Sequence, residues 1–309
     1  MRKKQVWIFV FMVLSLFFLV RQPHTVRADP LSENGSHKSS LLHIFTRQKP
    51  VPVGEHGRHV CREVKFIAGN DGTWFSPDDV VYNYFIYEFD NSGRTVRKKT
   101  YTSGRDREGF TADDQLQEYA VYTYDEKMRL IKETAYNGKG ADKSWFTPDD
   151  IQAYFYLYDY DLLGEQDSAV KYRNNGESSG CVTFEHNLKE QLVKDAFYRH
   201  DKREVQCFQA RGKLEKYHIF EYNNEGQLIR AVEYNDRGRD RQWFTPDDGI
   251  CAYKVCSYDS QGFQSLTKKY IGKGADNRWF TGDDIMQYYV AYSYIEITAK
   301  DKALHAPVS

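Results

Sequence analysis

The residues best suited to chemistry are aspartates in an acidic loop that recurs along the chain. One copy, Gly140 to Asp150, reads GADKSWFTPDD, and related copies span 69–79, 104–114, 238–248 and 274–284. Each copy carries three carboxylates within nine residues. The aspartates concerned are Asp71, Asp78, Asp79, Asp106, Asp113, Asp114, Asp142, Asp149, Asp150, Asp240, Asp247, Asp248, Asp276, Asp283 and Asp284. Oxygen ligands concentrated in this way suit a hard cation.

These carboxylates make Ca²⁺ the one cofactor that the sequence suggests. Calcium takes about six to eight oxygen ligands, which such a loop could supply from carboxylates, backbone carbonyls and water. The alternative is a structural turn in which Thr147 bonds nearby backbone N–H groups, Pro148 presets φ and the aspartates cap. Trp145 and Phe146 then pack the loop onto a sheet. The two interpretations are compatible, because a calcium site can be built on such a turn.

Paired aspartates also suggest a glycosidase, in which two carboxylates act as acid and base. Repetition argues against this, because a catalytic pair is ordinarily unique whereas five equivalent copies recur here. The sequence contains no His-x-x-x-His pair and no serine or cysteine nucleophile motif. We therefore predict no enzymatic activity and no catalytic residues.

The acidic loop belongs to a longer repeat with a period of 35 or 36 residues. Eleven residues beyond each Asp pair comes an aromatic-x-aromatic-Asp element, as in Tyr87-Glu-Phe89-Asp90. Seven units can be counted, ending with Tyr292-Ser-Tyr294, and two central units have lost the acidic loop. Alternation and many Tyr, Phe, Val and Ile residues predict a β-hairpin in each unit. The hairpin turns contain glycines that can adopt a positive φ, namely Gly93, Gly164, Gly226 and Gly262.

Two side-chain columns alternate along the first strand of each hairpin. We interpret the aliphatic column as the core; it comprises Ile86, Val121, Leu157, Ile219 and Val255. The other column is aromatic and is interpreted as a structural ladder of cross-strand pairs; it begins with Tyr87, Tyr122, Tyr158, Phe220 and Tyr292. A stacking surface for sugars or peptides is its functional alternative.

The repeats predict an all-β fold of tandem β-hairpins that form a curled antiparallel meander or solenoid-like shell. About fourteen strands are too many for a flat open sheet, which curls or splits beyond roughly ten. A closed barrel and a propeller are the alternatives. The propeller is disfavoured because each unit offers two clear strands rather than four.

The Tyr-x-Tyr-Asp-x-x-Gly element, with the return strand that follows it, resembles the tyrosine-aspartate repeats of bacterial Rhs-type proteins. The resemblance covers roughly Tyr82 through Tyr294. It implies a spiralling β shell or a cell-surface array. The chain departs from the family by inserting the acidic loop and by lacking a toxin-like C-terminal domain, so a shell that encloses a toxin is not expected.

The N-terminus predicts export. Met-Arg-Lys-Lys precedes an apolar run from Val6 to Val20 and small residues before Asp29, which are the parts of a signal peptide. We assign 1–28 to this signal, 29–58 to a flexible linker, 59–297 to the repeat domain and 298–309 to a C-terminal tail. After signal cleavage no membrane span is expected, so the protein is periplasmic, on the cell surface or secreted.

Five cysteines in such a compartment could pair. We interpret Cys251 and Cys256 as small hydrophobic residues on opposite strand faces, and a disulfide among Cys61, Cys181 and Cys207 as the alternative. The formal net charge of −1 gives no reason to expect a nucleic-acid partner.

Together these features predict a non-enzymatic repeat protein that offers a structural or protein-interaction surface at the cell envelope or exterior, with weak calcium sites as an accessory. The alternative is a carbohydrate-binding module that uses the aromatic face, motivated by 24 Tyr and five Trp residues. The partner is thus a protein or a glycan at the cell surface.

Overall fold

The computed structural model describes residues 58–90, 92–199 and 213–296, and these contain strands and turns but no helix. The strands are β1 (Arg58–Ile67), β2 (Val80–Phe89), β3 (Thr95–Thr102), β4 (Gln115–Tyr124), β5 (Leu130–Gly138), β6 (Ile151–Tyr160), β7 (Gln166–Arg173), β8 (Ser178–His186), β9 (Leu192–Arg199), β10 (Lys213–Tyr222), β11 (Leu228–Asp236), β12 (Gly249–Tyr258), β13 (Gln264–Gly272) and β14 (Ile285–Glu296).

Every strand pairs with its neighbours in sequence, and β1 pairs with β14, so the antiparallel meander closes into a barrel of fourteen strands. The predicted all-β antiparallel meander is confirmed. The sheet does not remain an open solenoid-like shell; it takes the closed form that the sequence left as an alternative. Closure gives every strand edge a hydrogen-bonded partner, which removes the exposed edges of an open sheet.

Strand β1 accounts for the closure. Strands β2 to β13 form six hairpins, and β14 begins a seventh unit for which the described residues, which end at Glu296, contain no return strand. The N-terminal strand β1 takes that place, with register pairs such as Val64 with Ala291 and Phe66 with Tyr289. Arg58, predicted to be the last residue of the linker, is the first residue of β1.

The prediction that the aliphatic column forms the core is wrong. Its members are half-buried or, for Leu157, exposed. The aromatic column is the buried one: Tyr87, Tyr122, Tyr158 and Phe220 are 5–9% exposed. Aromatic rings fill the concave interior of the barrel, whereas the aliphatic residues lie on the outer face.

The hairpin turns follow one design at the end of the barrel opposite the acidic loops. In the first, the carboxylate of Asp90 accepts hydrogen bonds from the backbone amides of Ser92 and Arg94 at 2.8 and 3.0 Å. The predicted positive φ is confirmed at the turn glycines, for example 78° at Gly93 and 85° at Gly164. Such side-chain to backbone bonds are the reason that Asp and Asn begin these turns.

In five units, a tyrosine of the aromatic-x-aromatic-Asp element joins its strand to the preceding hairpin. Tyr160 donates a hydrogen bond from its hydroxyl to the carbonyl of Leu130, thirty residues earlier, at 2.8 Å. The other hydroxyls that do this belong to Tyr124, Tyr222, Tyr258 and Tyr294. The aromatic repeat therefore fastens neighbouring units together.

The signal peptide, most of the linker, the C-terminal tail and the segment around Cys207 lie outside the described residues. Within the described ranges, no helix has the length and apolarity that crossing a membrane requires.

Candidate functional site

Each acidic loop depends on an unusually close approach between its first glycine and the first Asp of the pair. A Cβ on Gly140 would lie 2.2 Å from the carboxyl carbon of Asp149 and 2.3 Å from its carbonyl oxygen. The same is true at Gly69, Gly104, Gly238 and Gly274. Only glycine leaves room for this contact, which explains why every copy of the loop begins with it.

The second Asp of each pair fastens the loop to the barrel wall. Asp150 accepts a hydrogen bond from the backbone amide of Phe146 at 2.7 Å and another from the hydroxyl of Tyr119 at 2.6 Å. Burial raises the pKa of Asp150, but the bonds from Tyr119 and from backbone amides outweigh it and lower the pKa overall. Equivalent tyrosine bonds reach Asp79, Asp114, Asp248 and Asp284.

The first Asp of each pair and the Asp earlier in the loop hold the loop's own backbone. Asp149 accepts from the amide of Asp142 at 3.2 Å, and Asp142 accepts from the amide of Ser144 at 2.7 Å. The predicted turn is confirmed by the bond from the Asp150 amide to the Thr147 carbonyl. The threonine role was wrong in detail: the Thr147 hydroxyl donates to Asp149 at 2.8 Å instead of binding backbone N–H groups. That bond and the backbone amides lower the pKa of Asp149.

Phe packs all five loops onto the sheet, and Trp does so in four of them, as predicted; the packing is on the outer face. The ring of Trp145 meets Tyr119 edge-on at 5.9 Å and the ring of Phe146 lies 4.9 Å from the same tyrosine. The tryptophans Trp74, Trp145, Trp243 and Trp279 are half-buried. Tyr119 in turn stacks on Tyr136 at 4.7 Å. The loop thus lies over the hairpin that precedes it.

The phenylalanine of each loop remains 41–49% exposed. We call these five residues the phenylalanine belt: Phe75, Phe110, Phe146, Phe244 and Phe280. All five have a φ between 63° and 70°, a conformation that bulky L-residues rarely adopt. A cationic side chain lies over each ring, for example Arg97 at 4.9 Å from Phe146 and Arg230 at 4.7 Å from Phe280.

As a metal site, one loop fits better than the others. Asp106, Asp113 and Asp114 bring three carboxylate oxygens within 4.8 Å of one another, the one such group within the described ranges. In this loop Gly109 replaces the tryptophan. These carboxylates would hold Ca²⁺ together with backbone carbonyls and water. Calcium binding by the fifteen aspartates stays a prediction.

The barrel interior contains ionisable groups that sequence analysis missed. Tyr87 donates a hydrogen bond from its hydroxyl to Glu63 at 2.7 Å, and Lys98 lies 4.0 Å from the ring of Phe85. Burial lowers the pKa of Lys98, although Glu63 on β1 and Glu133 on β5 act in the opposite direction. Charges on strands that are not neighbours approach one another only on the concave face. The alternation of side chains along a strand could have identified Lys98 as an interior residue, because Lys98 lies on the same face of the sheet as the aromatic column.

A histidine lies between two acids in the same interior. His218 Nδ1 is 2.6 Å from Asp195 and Nε2 is 3.5 Å from Glu233, and the His218 and Asp195 side chains are 2% and 0% exposed. Lys216 also contacts Glu233, at 3.0 Å. Burial raises the pKa of Glu233, but His218 and Lys216 together hold it well below its usual range.

The cysteines offer no nucleophile in the described residues. Cys181 is disulfide-bonded, in agreement with the disulfide alternative, while Cys251 and Cys256 are free and half-buried. Burial raises the pKa of the Cys251 thiol to about 12, so thiolate is scarce at neutral pH.

No family model matches the chain, and no curated protein matches it significantly. Among solved structures, it is similar to a porin-like protein from Bacteroides uniformis, with a TM-score of 0.38 and 12% identity over 78% of this chain and 98% of that one. A Tc holotoxin pore from Photorhabdus luminescens matches at a TM-score of 0.25 and 12% identity, over 68% of this chain and 10% of that one. A Bacteroides fragilis protein of unknown function matches at a TM-score of 0.20 and 9% identity, over 60% of this chain and 95% of that one. Likeness at this level carries no functional argument, and the resemblance to tyrosine-aspartate repeats stays a prediction.

Proposed function

We propose that this chain is an exported, non-enzymatic barrel that binds a protein partner at the cell envelope or exterior through the phenylalanine belt. The observation that carries the proposal is the belt itself. Five phenylalanines are held in a left-handed conformation that costs backbone energy, and each ring stays partly exposed. Strain that recurs at exposed aromatic residues is typical of functional surfaces.

The chemistry of the belt favours a protein over a glycan. Each exposed ring has an arginine or lysine over it, and aromatic residues with arginine are enriched at protein interfaces. The four loop tryptophans, which motivated the carbohydrate alternative, are half-buried against tyrosines and do not form open stacking platforms. The glycan alternative therefore loses its main support.

The test uses fluorescently labelled mature chain and cells of the source organism. We expect cell binding that is abolished by pretreating the cells with protease and that survives glycosidase treatment. A triple variant in the belt (Phe146→Ser, Phe244→Ser, Phe280→Ser) is expected to bind at least about tenfold more weakly, as loss of buried aromatic anchors predicts.

The matched control alters the exposed leucines of the turn tips, Leu162, Leu163 and Leu188, which lie outside the belt. Their replacement by serine is expected to leave binding unchanged. Binding that is sensitive to glycosidase would instead support the carbohydrate module, and equal loss in both triple variants would rule out a specific role for the belt.

The proposal includes weak calcium binding by the acidic loops, as an accessory to partner binding. Millimolar calcium is expected to raise the melting temperature by several degrees, and excess chelator to reverse it. Asp113→Asn should remove most of this shift, because Asp113 belongs to the closest carboxylate group. No shift in the parent chain would leave the loops as hydrogen-bonded turns only.

Export rests on the N-terminal signal and is supported by the disulfide at Cys181, since disulfides persist in oxidising compartments. Cell fractionation with N-terminal sequencing should find a chain that begins at Asp29. Recovery of an intact N-terminus from the cytoplasm would contradict this part of the proposal.

A further inference from the structure

Strand β1 is attached to the rest of the barrel on one side only. Every other pair of neighbouring strands is consecutive in the chain, whereas β1 and β14 meet at a seam that no connection spans within the described residues. The acidic loop that leads to β2 is the tether of β1. A change that weakens the contacts of β1 with β2 and β14 can therefore open the seam while every hairpin stays intact.

A glutamate in the middle of this strand points into the barrel. Glu63 is 2% exposed, and its cross-strand neighbours are Phe85 on β2 and Tyr292 on β14. Its Oε1 accepts a hydrogen bond from the hydroxyl of Tyr87 at 2.7 Å. Its Oε2 is buried and has no hydrogen-bond partner among the described residues. A carboxyl group in this position is costly as an anion, because it has exchanged water for a single hydrogen-bond donor.

Neighbouring charges reduce this cost without removing it. Lys98 attracts the carboxylate most strongly and Lys254 more weakly, yet burial outweighs both, together with the bond from Tyr87, and raises the pKa of Glu63. Lys98 is also shared with Glu118 and Glu133. The titratable groups that surround Glu63 are Lys65 on β1 itself, Tyr87 on β2, Lys98 on β3, Lys254 on β12, and Tyr288, Tyr292 and Tyr294 on β14.

Proton binding at Glu63 therefore stabilises the place of β1 in the barrel. When β1 is released into water, the carboxyl has its ordinary pKa of 4.5, whereas in the closed barrel its pKa is higher. Between these two values the closed barrel binds the proton more strongly than the open one. The stabilisation is fully present below pH 4.5 and is lost as the pH rises through the pKa of the closed barrel.

We propose that β1 is a releasable strand whose hold on the seam is set by the protonation of Glu63. With the carboxyl group neutral, β1 stays between β2 and β14 and the barrel is closed. With the carboxyl group ionised, β1 leaves the seam more often, and the edges of β2 and β14 become available to the β1 of a second copy. This inference goes beyond the function proposed for the phenylalanine belt and does not depend on it.

The experiment measures how readily a second β1 enters the seam. The probe is a fluorescently labelled peptide of residues 58–67 with the changes Cys61→Ser and Glu63→Gln, so that the peptide itself neither forms disulfides nor ionises at this position. It is incubated with the mature chain across pH 5–9 at constant ionic strength, and the peptide that coelutes with the chain is measured. Incorporation should rise at least about tenfold over this range, which corresponds to a pKa raised by about one unit or more.

Variants of the full mature chain assign the effect to one carboxyl group. Glu63→Gln keeps the shape of the side chain but cannot ionise, so incorporation should be low and independent of pH. Tyr87→Phe removes a hydrogen bond that favours the carboxylate, so the pH of half-maximal incorporation should rise by about one to two units. The matched control is Glu126→Gln at an exposed turn tip, which should behave like the parent chain.

The Tyr87→Phe chain keeps the ionisable carboxyl group and remains informative if Glu63→Gln folds poorly. Its shifted midpoint is a readout that a merely structural role of Glu63 would not move. Incorporation that stays constant with pH in the parent chain would overturn the proposal. So would an equal rise in the parent chain and in Glu63→Gln, or a midpoint that Tyr87→Phe leaves in place.

Discussion

Met128 and Glu190 show how a single residue can carry backbone strain that the other hairpin turns avoid by using glycine. Both occupy the turn position that other hairpins fill with glycine, and both have a positive φ, of 62° and 60°. A left-handed conformation costs an L-residue about 1–2 kcal/mol relative to the right-handed one. The hairpin tolerates this cost because its turn is fixed by the side chain and backbone of Asp125.

Replacing Met128 with glycine should therefore stabilise the barrel. We expect a gain of about 0.5–1 kcal/mol after the larger unfolded-state entropy of glycine is deducted, which raises the melting temperature by about 1–4 °C. Thermal unfolding followed by circular dichroism measures it. Gly164→Ala, at a φ of 85°, is the matched reverse change and should destabilise. A shift of the same sign in both variants would refute the strain argument.

Lys254 should make stability depend on pH. Burial and neighbouring Lys269 lower its pKa from 10.5 to about 7. Between these values the unfolded chain binds a proton that the folded barrel has released, so stability rises with pH through this window, while the cost of the buried charge is fully present below pH 7.

The comparison that isolates this group is with Lys254→Met. Lys269, Lys216, Glu233 and Cys256 also act on this amine and remain in the variant. From pH 6.5 to 8.5 the melting temperature of the parent chain should gain on that of the variant, by up to about 3–5 °C per pH unit. Parallel curves would show that the amine keeps its ordinary pKa.

At the scale of the element, the acidic loop behaves as a preformed clasp. Gly140 and Asp149 fix the loop's own backbone, whereas Asp150, Trp145 and Phe146 fix the loop to the preceding hairpin. Tyr119 receives these last three contacts: its hydroxyl donates to Asp150 and its ring packs on Trp145 and Phe146. Burial and the Asp150 carboxylate accordingly raise the pKa of Tyr119.

Gly140→Ala should open this clasp. The new methyl group would overlap Asp149, so the loop must shift and lose bonds, at a cost of about 1–3 kcal/mol. We expect a lower melting temperature and altered fluorescence of Trp145. The control is Gly282→Ala, because a Cβ at Gly282 meets nothing within 4 Å. Equal effects of the two substitutions would contradict the close-approach argument.

The whole molecule depends on one pairing between distant parts of the chain. Strand β1 closes the barrel against β14, and the first acidic loop strengthens the closure through a bond from the Tyr289 hydroxyl to Asp79 at 2.9 Å, across 210 residues. Without β1, the strands β14 and β2 would both present unpaired edges, which recruit other chains.

A chain that begins at Ala68 should therefore self-associate, whereas one that begins at Arg58 should elute like the full mature chain. Size-exclusion chromatography with light scattering distinguishes the two. Adding a peptide of residues 58–67 should restore the monodisperse elution of the shorter chain. If the chain from Ala68 elutes and melts like the chain from Arg58, barrel closure by β1 is not what holds the fold together.

Local patterns determined much of this architecture from the sequence alone. The period of 35 or 36 residues, the hairpins, the glycine turns and the packing of Trp145 and Phe146 all depend on residues close together in the chain. The loop aspartates were recognised as well, and their turn was predicted down to Pro148. Short-range backbone geometry allows few alternative conformations for such segments, so the sequence was sufficient to predict these features.

Tertiary structure decided which face of the sheet is inside, and that β1 pairs with β14. Alternation along a strand separates Ile86 from Tyr87 but does not say which of them faces the concave side, since that depends on the curvature of the closed sheet. The pairing of β1 with β14 also joins strands far apart in sequence, so no local pattern specifies it. It exists only once every hairpin has taken its place around the barrel.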